Sequence, residues 1–229
     1  MVATLKTDIC VIGAGSGGLS VAAGASQMGA DTVLIERDKM GGDCLNYGCV
    51  PSKALIAAGH TAHLMRHSDR FGIESVAPQV DYAKVRDHVR GVIAAIEPND
   101  SVERFTGLGV NVILGAAKFT SLNTVEAGGK TIQAKRFVIA TGSSAMVPPI
   151  PGLDQVPYLT NETVFDLDAR PDHLIVIGGG PIGSEPGPGW TNEVLQILLL
   201  VRGRAEHSDL LLRIREAVSY THLTLPTKA

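Results

Sequence analysis

The chain has 229 residues, enough for one large domain or the beginnings of two, and it can bury a core without disulfides or metals to staple it. Hydrophobic residues make up 45% and charged residues 19%, ordinary values for a globular protein, whereas 26 glycines exceed average usage and point to tight turns and close backbone approaches. A formal charge of −3 offers no basic face to nucleic acid and no polybasic signal to anionic lipid; with no bilayer-length apolar run and no cationic leader, the expectation is a cytoplasmic protein with no nucleic-acid or membrane partner.

Residues 8–12 (DICVI) form a short apolar run ending at Gly13, the pattern of a strand buried on both faces of a parallel sheet. The small-residue stretch GLSVAAGASQMGA predicts a helix ending near Gly29, and TVLIE predicts a second buried strand, completing one βαβ unit. Between strand and helix, Gly13-Ala14-Gly15-Ser16-Gly17-Gly18 matches G-x-G-x-x-G, and Glu36 ends the second strand where an acidic residue meets a ribose hydroxyl. Gly13 permits the sharp turn, Gly15 lets the backbone approach a pyrophosphate, Gly18 allows close helix–strand packing, and the helix N-terminus favours negative charge. The alternative is a glycine turn without a ligand; the flanking strands, the helix and the acid favour a dinucleotide.

Three cysteines occur, Cys10, Cys44 and Cys49, and in a reducing compartment a close pair is more often catalytic or metal-binding than a structural bridge. Cys44 and Cys49 lie in GGDCLNYGCVPSK, residues 41–53. On an ideal helix, positions five apart rise about 7.5 Å, beyond the usual Cα separation of a disulfide, so a bridge needs a distorted turn, which Gly48 and Pro51 supply. A helix predicted over Ser52 to about His67 puts Cys49 near its N-terminus, where a thiolate is favoured. Zinc and unpaired structural thiols are the rival readings; zinc lacks two further ligands at suitable spacing, so no metal site is expected.

Tyr82 to Phe105 reads as one helix, with Val85, Val89, Val92, Ile93 and Ile96 on one face and Gly107 and Gly109 closing it. The β-like runs NVILG, KFTSL, NTVEA, KTIQA and RFVIAT follow, with Gly128-Gly129 at a tight hairpin turn, and suggest a small antiparallel meander returning to the main sheet. A proline-containing connector, Val147 to Asp172, leads to the apolar run HLIVI and the cluster Gly178 to Gly183, which read as the start of a second domain. After Glu185, Pro186 and Pro188 alternate with glycines where a helix should follow, and the closing residues AVSYTHLTLPTKA resemble a read-through tail.

GGDCLNYGCVPSKAL resembles the redox-active disulfide signature of the class I pyridine nucleotide-disulfide oxidoreductases. The resemblance implies an α/β fold: a Rossmann-like FAD-binding domain with an inserted β-meander, and the beginning of a second, NAD(P)-binding Rossmann-like domain. It implies FAD at the first fingerprint, with Gly41 and Gly42 in the cofactor-binding set, and a Cys44–Cys49 disulfide stacked by the flavin. Cys49 would be the flavin-side, charge-transfer thiol and Cys44 the interchange thiol that meets substrate. Lys53 falls where the family has a lysine near flavin N5, and Glu185 where it has that lysine's ion-pair partner; otherwise Lys53 is a solvated helix lysine. Ala140-Thr141-Gly142 resembles the family's ATG element beneath the cofactor, and Gly178, Gly180 and Gly183 its second fingerprint, for NAD or NADP.

The implied chemistry is hydride transfer between NAD(P)H and FAD, electron passage to the disulfide, and exchange with a small-molecule or lipoyl disulfide substrate. CLNYGCVPSKAL resembles the dihydrolipoamide dehydrogenase form more than the glutathione reductase form, which makes dihydrolipoamide the first choice; mercuric reductase, with a nearly identical core motif, is the runner-up, and a non-catalytic flavin-binding fragment is the reading from another class. The expected division is an FAD domain with the redox disulfide at 1–150, a connector and the start of the NAD(P) domain at 151–185, and an aberrant tail at 186–229. On this reading the chain is truncated and itself inactive, and its parent is a homodimer. His60, His63, His67, His88, His173, His207 and His222 match no family motif, so none is assigned to catalysis.

Overall fold

The computed structural model describes residues 4–171 and the backbone of residues 200–201. They divide into two compact units, one of residues 4–54 and 87–144, the other of residues 55–86 and 145–171 together with 200–201. The first is a six-stranded sheet with its helices, the α/β architecture expected. β1 (Thr4–Ile12), β2 (Thr32–Glu36), β3 (Val110–Leu114), β4 (Lys118–Ser121), β5 (Thr124–Ala127) and β6 (Lys130–Ile139) lie in the order β3-β2-β1-β6-β5-β4. The first four in that order run parallel, and β5 and β4 extend the sheet antiparallel.

Every residue of β2 is buried, as an apolar run between two covered faces requires. Successive side chains of a strand point to opposite faces, so Cys10, Val33 and Ile35 join one core, and Val11 and Leu34 join the other, against Leu19 and Ala22 of α1 (Ser16–Gln27) and Phe105 of α5 (Val102–Gly107). Helix α1 stops where Gly29 takes φ +83; the N–H of Gly29 bonds to Ser26 O and that of Ala30 to Ala25 O, satisfying the last carbonyls.

Three expectations are corrected. The single helix from Tyr82 to Phe105 is two: α4 (Tyr82–Ile96) ends before a 3₁₀ turn, Glu97–Asp100, which contains Pro98, and the Ser101 hydroxyl caps α5 by accepting the Arg104 N–H at 3.2 Å. The apolar face predicted for α4 is present, with Val89 buried and Val85, Val92, Ile93 and Ile96 half-buried. NVILG is not part of the meander; it is β3, pairing in parallel with β2 from Thr32↔Val110 to Glu36↔Leu114. KTIQA and RFVIAT are not two runs, because β6 continues through the polar stretch Lys135-Arg136, where Lys135 pairs at the surface with Asp8 of β1 at 2.5 Å. The hairpin turn is where it was placed: Gly128 and Gly129, at φ +53 and +72, join β5 to β6 between the partners Ala127 and Lys130.

In the second unit, α3 (Cys49–Arg66), whose first turns belong to the first unit, runs into a 3₁₀ turn, Ser68–Phe71, and β7 (Tyr158–Leu159) pairs antiparallel with β8 (Leu200–Val201). The run HLIVI, the glycines Gly178, Gly180 and Gly183, Glu185 and the proline-glycine stretch after it lie outside the described residues. No helix among the described residues is long and apolar enough to cross a membrane.

Candidate functional site

Two loops meet beyond the carboxyl ends of β1 and β2. The first is the glycine turn between β1 and α1, whose three motif glycines answer to different physical demands. Gly13 sits at φ +104, and a Cβ there would stand 2.2 Å from the Ala140 carbonyl oxygen. Gly18 has no such backbone constraint, but its Cβ would lie 1.8 Å from the Gly13 oxygen, so helix and turn touch backbone to backbone. At Gly15 neither demand applies: it has φ −76, and the nearest atom to an added Cβ is the Gly42 Cα at 4.0 Å. Gly15 is also the N-cap of α1, so the helix begins without a side-chain cap of its own and with no acidic residue in its first turn.

Glu36, at the end of β2, flanks the glycine turn. Its carboxylate is buried; Oε2 accepts the Ala14 N–H at 2.6 Å and Oε1 the Asp38 N–H at 2.8 Å. Each carboxylate oxygen has two lone pairs, so capacity remains for a hydroxyl donor. The Ala140-Thr141-Gly142 run follows β6 directly; the Ala140 N–H bonds to Ile12 O, and its carbonyl backs Gly13.

The second loop carries the thiols. It is joined to the glycine turn by the Gly41 N–H donating to Ala14 O at 2.9 Å and by a bridge between Gly15 and Gly41. Gly41 and Gly42 are both at positive φ, and a Cβ on Gly42 would meet the Gly15 Cα at 2.7 Å. Next comes a one-turn helix, α2 (Gly42–Asn46), bearing Cys44; the chain breaks at Tyr47-Gly48, and α3 starts at Cys49. The distorted turn expected between the cysteines is thus a helix–break–helix. The second helix begins three residues before the predicted Ser52, since Pro51 falls in its first turn, where no N–H is required.

All three cysteines are thiols in this structure: Cys10 buried, Cys44 half-buried, Cys49 exposed. Burial pushes the Cys10 thiol up to about 11. Burial also raises Cys44, reinforced by a hydrogen bond with the Cys49 side chain and by that neighbour's charge, while a backbone hydrogen bond from Cys49 and the charge of Lys53 pull it back. Cys44, Cys49 and Lys53 therefore form one electrostatic cluster across the first turns of α3 and the middle of α2. Because Cys49 is exposed while Cys44 is half-buried and held above the usual thiol range, iodoacetamide added to the reduced, native chain at pH 8 is expected to label Cys49 first. Cys44 should catch up as the pH rises above the ordinary thiol range, and Cys10 should stay unlabelled; Cys44 leading at pH 8 would contradict this arrangement.

Reading of the sequence passed over one contributor. Asn46 donates from Nδ2 to Met40 O at 3.1 Å and to Gly42 O at 2.8 Å. An asparagine two residues past a cysteine in a glycine-flanked turn was the available signal.

The family model described as pyridine nucleotide-disulphide oxidoreductase matches residues 7–203. A mercuric reductase of Bacillus cereus is 37% identical over 93% of this chain and 34% of its own length. A dihydrolipoyl dehydrogenase of Haloferax volcanii is 35% identical over 93% of the chain and 50% of its own length, and one of Bacillus subtilis 36% identical over 87% and 43%. The chain thus spans between a third and a half of the curated relatives it matches. With the glycine turn, the acid at the end of β2 and the paired thiols placed side by side, and a family model covering most of its length, the chain belongs to the pyridine nucleotide-disulphide oxidoreductase family.

Proposed function

We propose that residues 4–54 and 87–144 bind FAD, and that Cys44 and Cys49 alternate between dithiol and disulfide in an NAD(P)H-linked disulfide oxidoreductase. The observation that carries this is Gly15: neither its conformation nor its packing among the described residues requires a glycine there, whereas a pyrophosphate laid across the start of α1 does. The uncapped N–H groups of α1 would hold the phosphates, and Glu36 would take a ribose hydroxyl on its remaining lone pairs. FAD bound there would supply two-electron exchange between a nicotinamide and the sulfur pair.

In this reading Cys49, exposed at the start of α3, is the thiol nearest the flavin, and Cys44 is the one that exchanges with substrate. Lys53 would stabilise negative charge on a bound flavin ring, and Glu185 would serve as its ion partner. Ala140, Thr141 and Gly142 lie against the cofactor, and Gly178, Gly180 and Gly183 serve NAD or NADP. Dihydrolipoamide is the first substrate class on the form of CLNYGCVPSKAL, acting in a homodimer. Mercuric ion is the second reading, favoured by relatives of that name at 37% identity. Working thiols call for a reducing compartment, in keeping with the cytoplasm.

The test is flavin titration of the purified chain. FAD absorbance and quenched flavin fluorescence should co-purify with the protein, and Gly15→Val should abolish binding while the far-UV circular dichroism stays unchanged. A folded wild-type chain that takes up no FAD refutes the proposal.

A further inference from the structure

Asn46 holds no place in the chemistry proposed above, yet it anchors the segment on which Cys44 rides. We infer that Asn46 is a positioning residue of the thiol loop: its amide holds the one-turn helix in the geometry from which Cys44 and Cys49 close into a disulfide. The inference rests on the redox reading of that pair.

Helix α2 has five residues, whereas helices shorter than about 12–15 residues are marginal on their own in water, so α2 exists only because its ends are held. The leading end is fixed by Gly41, which donates to Ala14 O and takes φ +84, where a Cβ would lie 2.4 Å from the Leu45 side chain. Asn46 fixes the trailing end. Its Nδ2 reaches back past Cys44 to two carbonyl oxygens, Met40 O and Gly42 O, so one nitrogen with two N–H donors is required. Neither a carboxylate nor an alkyl group of the same size can serve both. Cys44 lies between the two fixed ends, and directly beyond Asn46 the Tyr47 N–H closes on Asp43 O before the chain turns to Cys49.

Disulfide closure demands a narrow range of Cα and Cβ placements. A loosened α2 must be reordered each time the bond forms, so the cost appears in the closure equilibrium. In closure, Cys44 and Cys49 each give up a proton and an electron as the S–S bond forms. With oxidised glutathione as oxidant, its own S–S bond breaks and takes both protons and both electrons, leaving two glutathione thiols.

The experiment equilibrates the full chain in glutathione redox mixtures and counts free thiols by mass after acid quench and alkylation. Asn46→Asp and Asn46→Leu keep the size and lose the paired donors; their closure constant is expected to fall about tenfold, near the worth of one hydrogen bond. Asn46→Gln keeps both donors and should stay within about threefold of wild type. Native iodoacetamide reactivity of Cys10 reports in parallel whether the sheet is intact. Wild-type closure in the Asp and Leu variants overturns the inference. So does a fall in all three variants accompanied by exposure of Cys10, which makes Asn46 a folding residue only. A wild-type chain that loses no pair of thiols in any mixture instead refutes the redox reading itself.

Discussion

Gly18→Ala is expected to destabilise the chain by more than about 3 kcal/mol, above the 1–3 kcal/mol usual for an extra methylene in a packed core. By helix propensity alone the change should help, since alanine in a helix interior is favoured over glycine by about 1 kcal/mol. Packing wins because the added carbon would stand 1.8 Å from the Gly13 oxygen and 2.9 Å from its carbonyl carbon. Both are backbone atoms of a turn that is itself pinned against Ala140, so no side-chain rotation relieves the clash. The control lies one residue earlier. A Cβ on Gly17 meets nothing within 4 Å, so Gly17→Ala should be neutral or stabilising by about 0.5–1 kcal/mol. Urea unfolding of the two variants side by side decides the matter: equal midpoints would mean that α1 does not lie on the Gly13 carbonyl.

The second large effect is all-or-none. Mild oxidation should remove two of the three thiols of the reduced chain, both mapping to Cys44 and Cys49, while Cys10 stays reduced inside the sheet. Cys44→Ser and Cys49→Ser should each abolish the intramolecular loss completely, and Cys10→Ser should leave it intact. The basis is the electrostatic coupling of Cys44 on α2 to Cys49 at the start of α3, and the burial of Cys10 in the core on β1, between β2 and β6. Peptide mapping that puts the oxidised sulfur on Cys10 would sink the assignment.

Much of the site was legible because its residues obey local rules. The run TVLIE has three consecutive apolar residues, Val33 to Ile35, and became β2 over those same five residues, since a strand covered on both faces has no reason to alternate. Gly128-Gly129 has one local explanation, a two-residue turn with both φ positive, and that is its conformation. The glycine turn and Glu36 lie side by side, because a strand–turn–helix–strand unit brings residues 13 to 36 together by short-range connection alone.

What was not legible depends on contacts distant in sequence. A five-residue helix shows no periodicity, so α2 could be read only as a distorted turn. The apolar period ends at Ile96, and the reading of one helix on to Phe105 ran past Pro98, which falls in the 3₁₀ turn that separates α4 from α5. Lys135-Arg136 looked like an interruption in a strand, and only pairing with β1, with Asp8 opposite, makes that stretch continuous. The role of Asn46 is set by two carbonyls whose positions no local pattern reveals.

The pairing of β1 with β6 also governs the order in which the molecule can be built. Residues Thr4 to Ile12 lie at the centre of the sheet, yet one of their two neighbours is Thr131 to Ile139. At synthesis rates of about 5–20 residues per second, the first strand waits seconds for its partner to leave the ribosome. Until then β1 has one open flank, and closing so long a loop carries an entropic cost before any contact repays it. Gly13 is backed by Ala140, which follows β6, so the turn at the amino-terminal end of the chain takes its final shape only when the last strand of the sheet arrives.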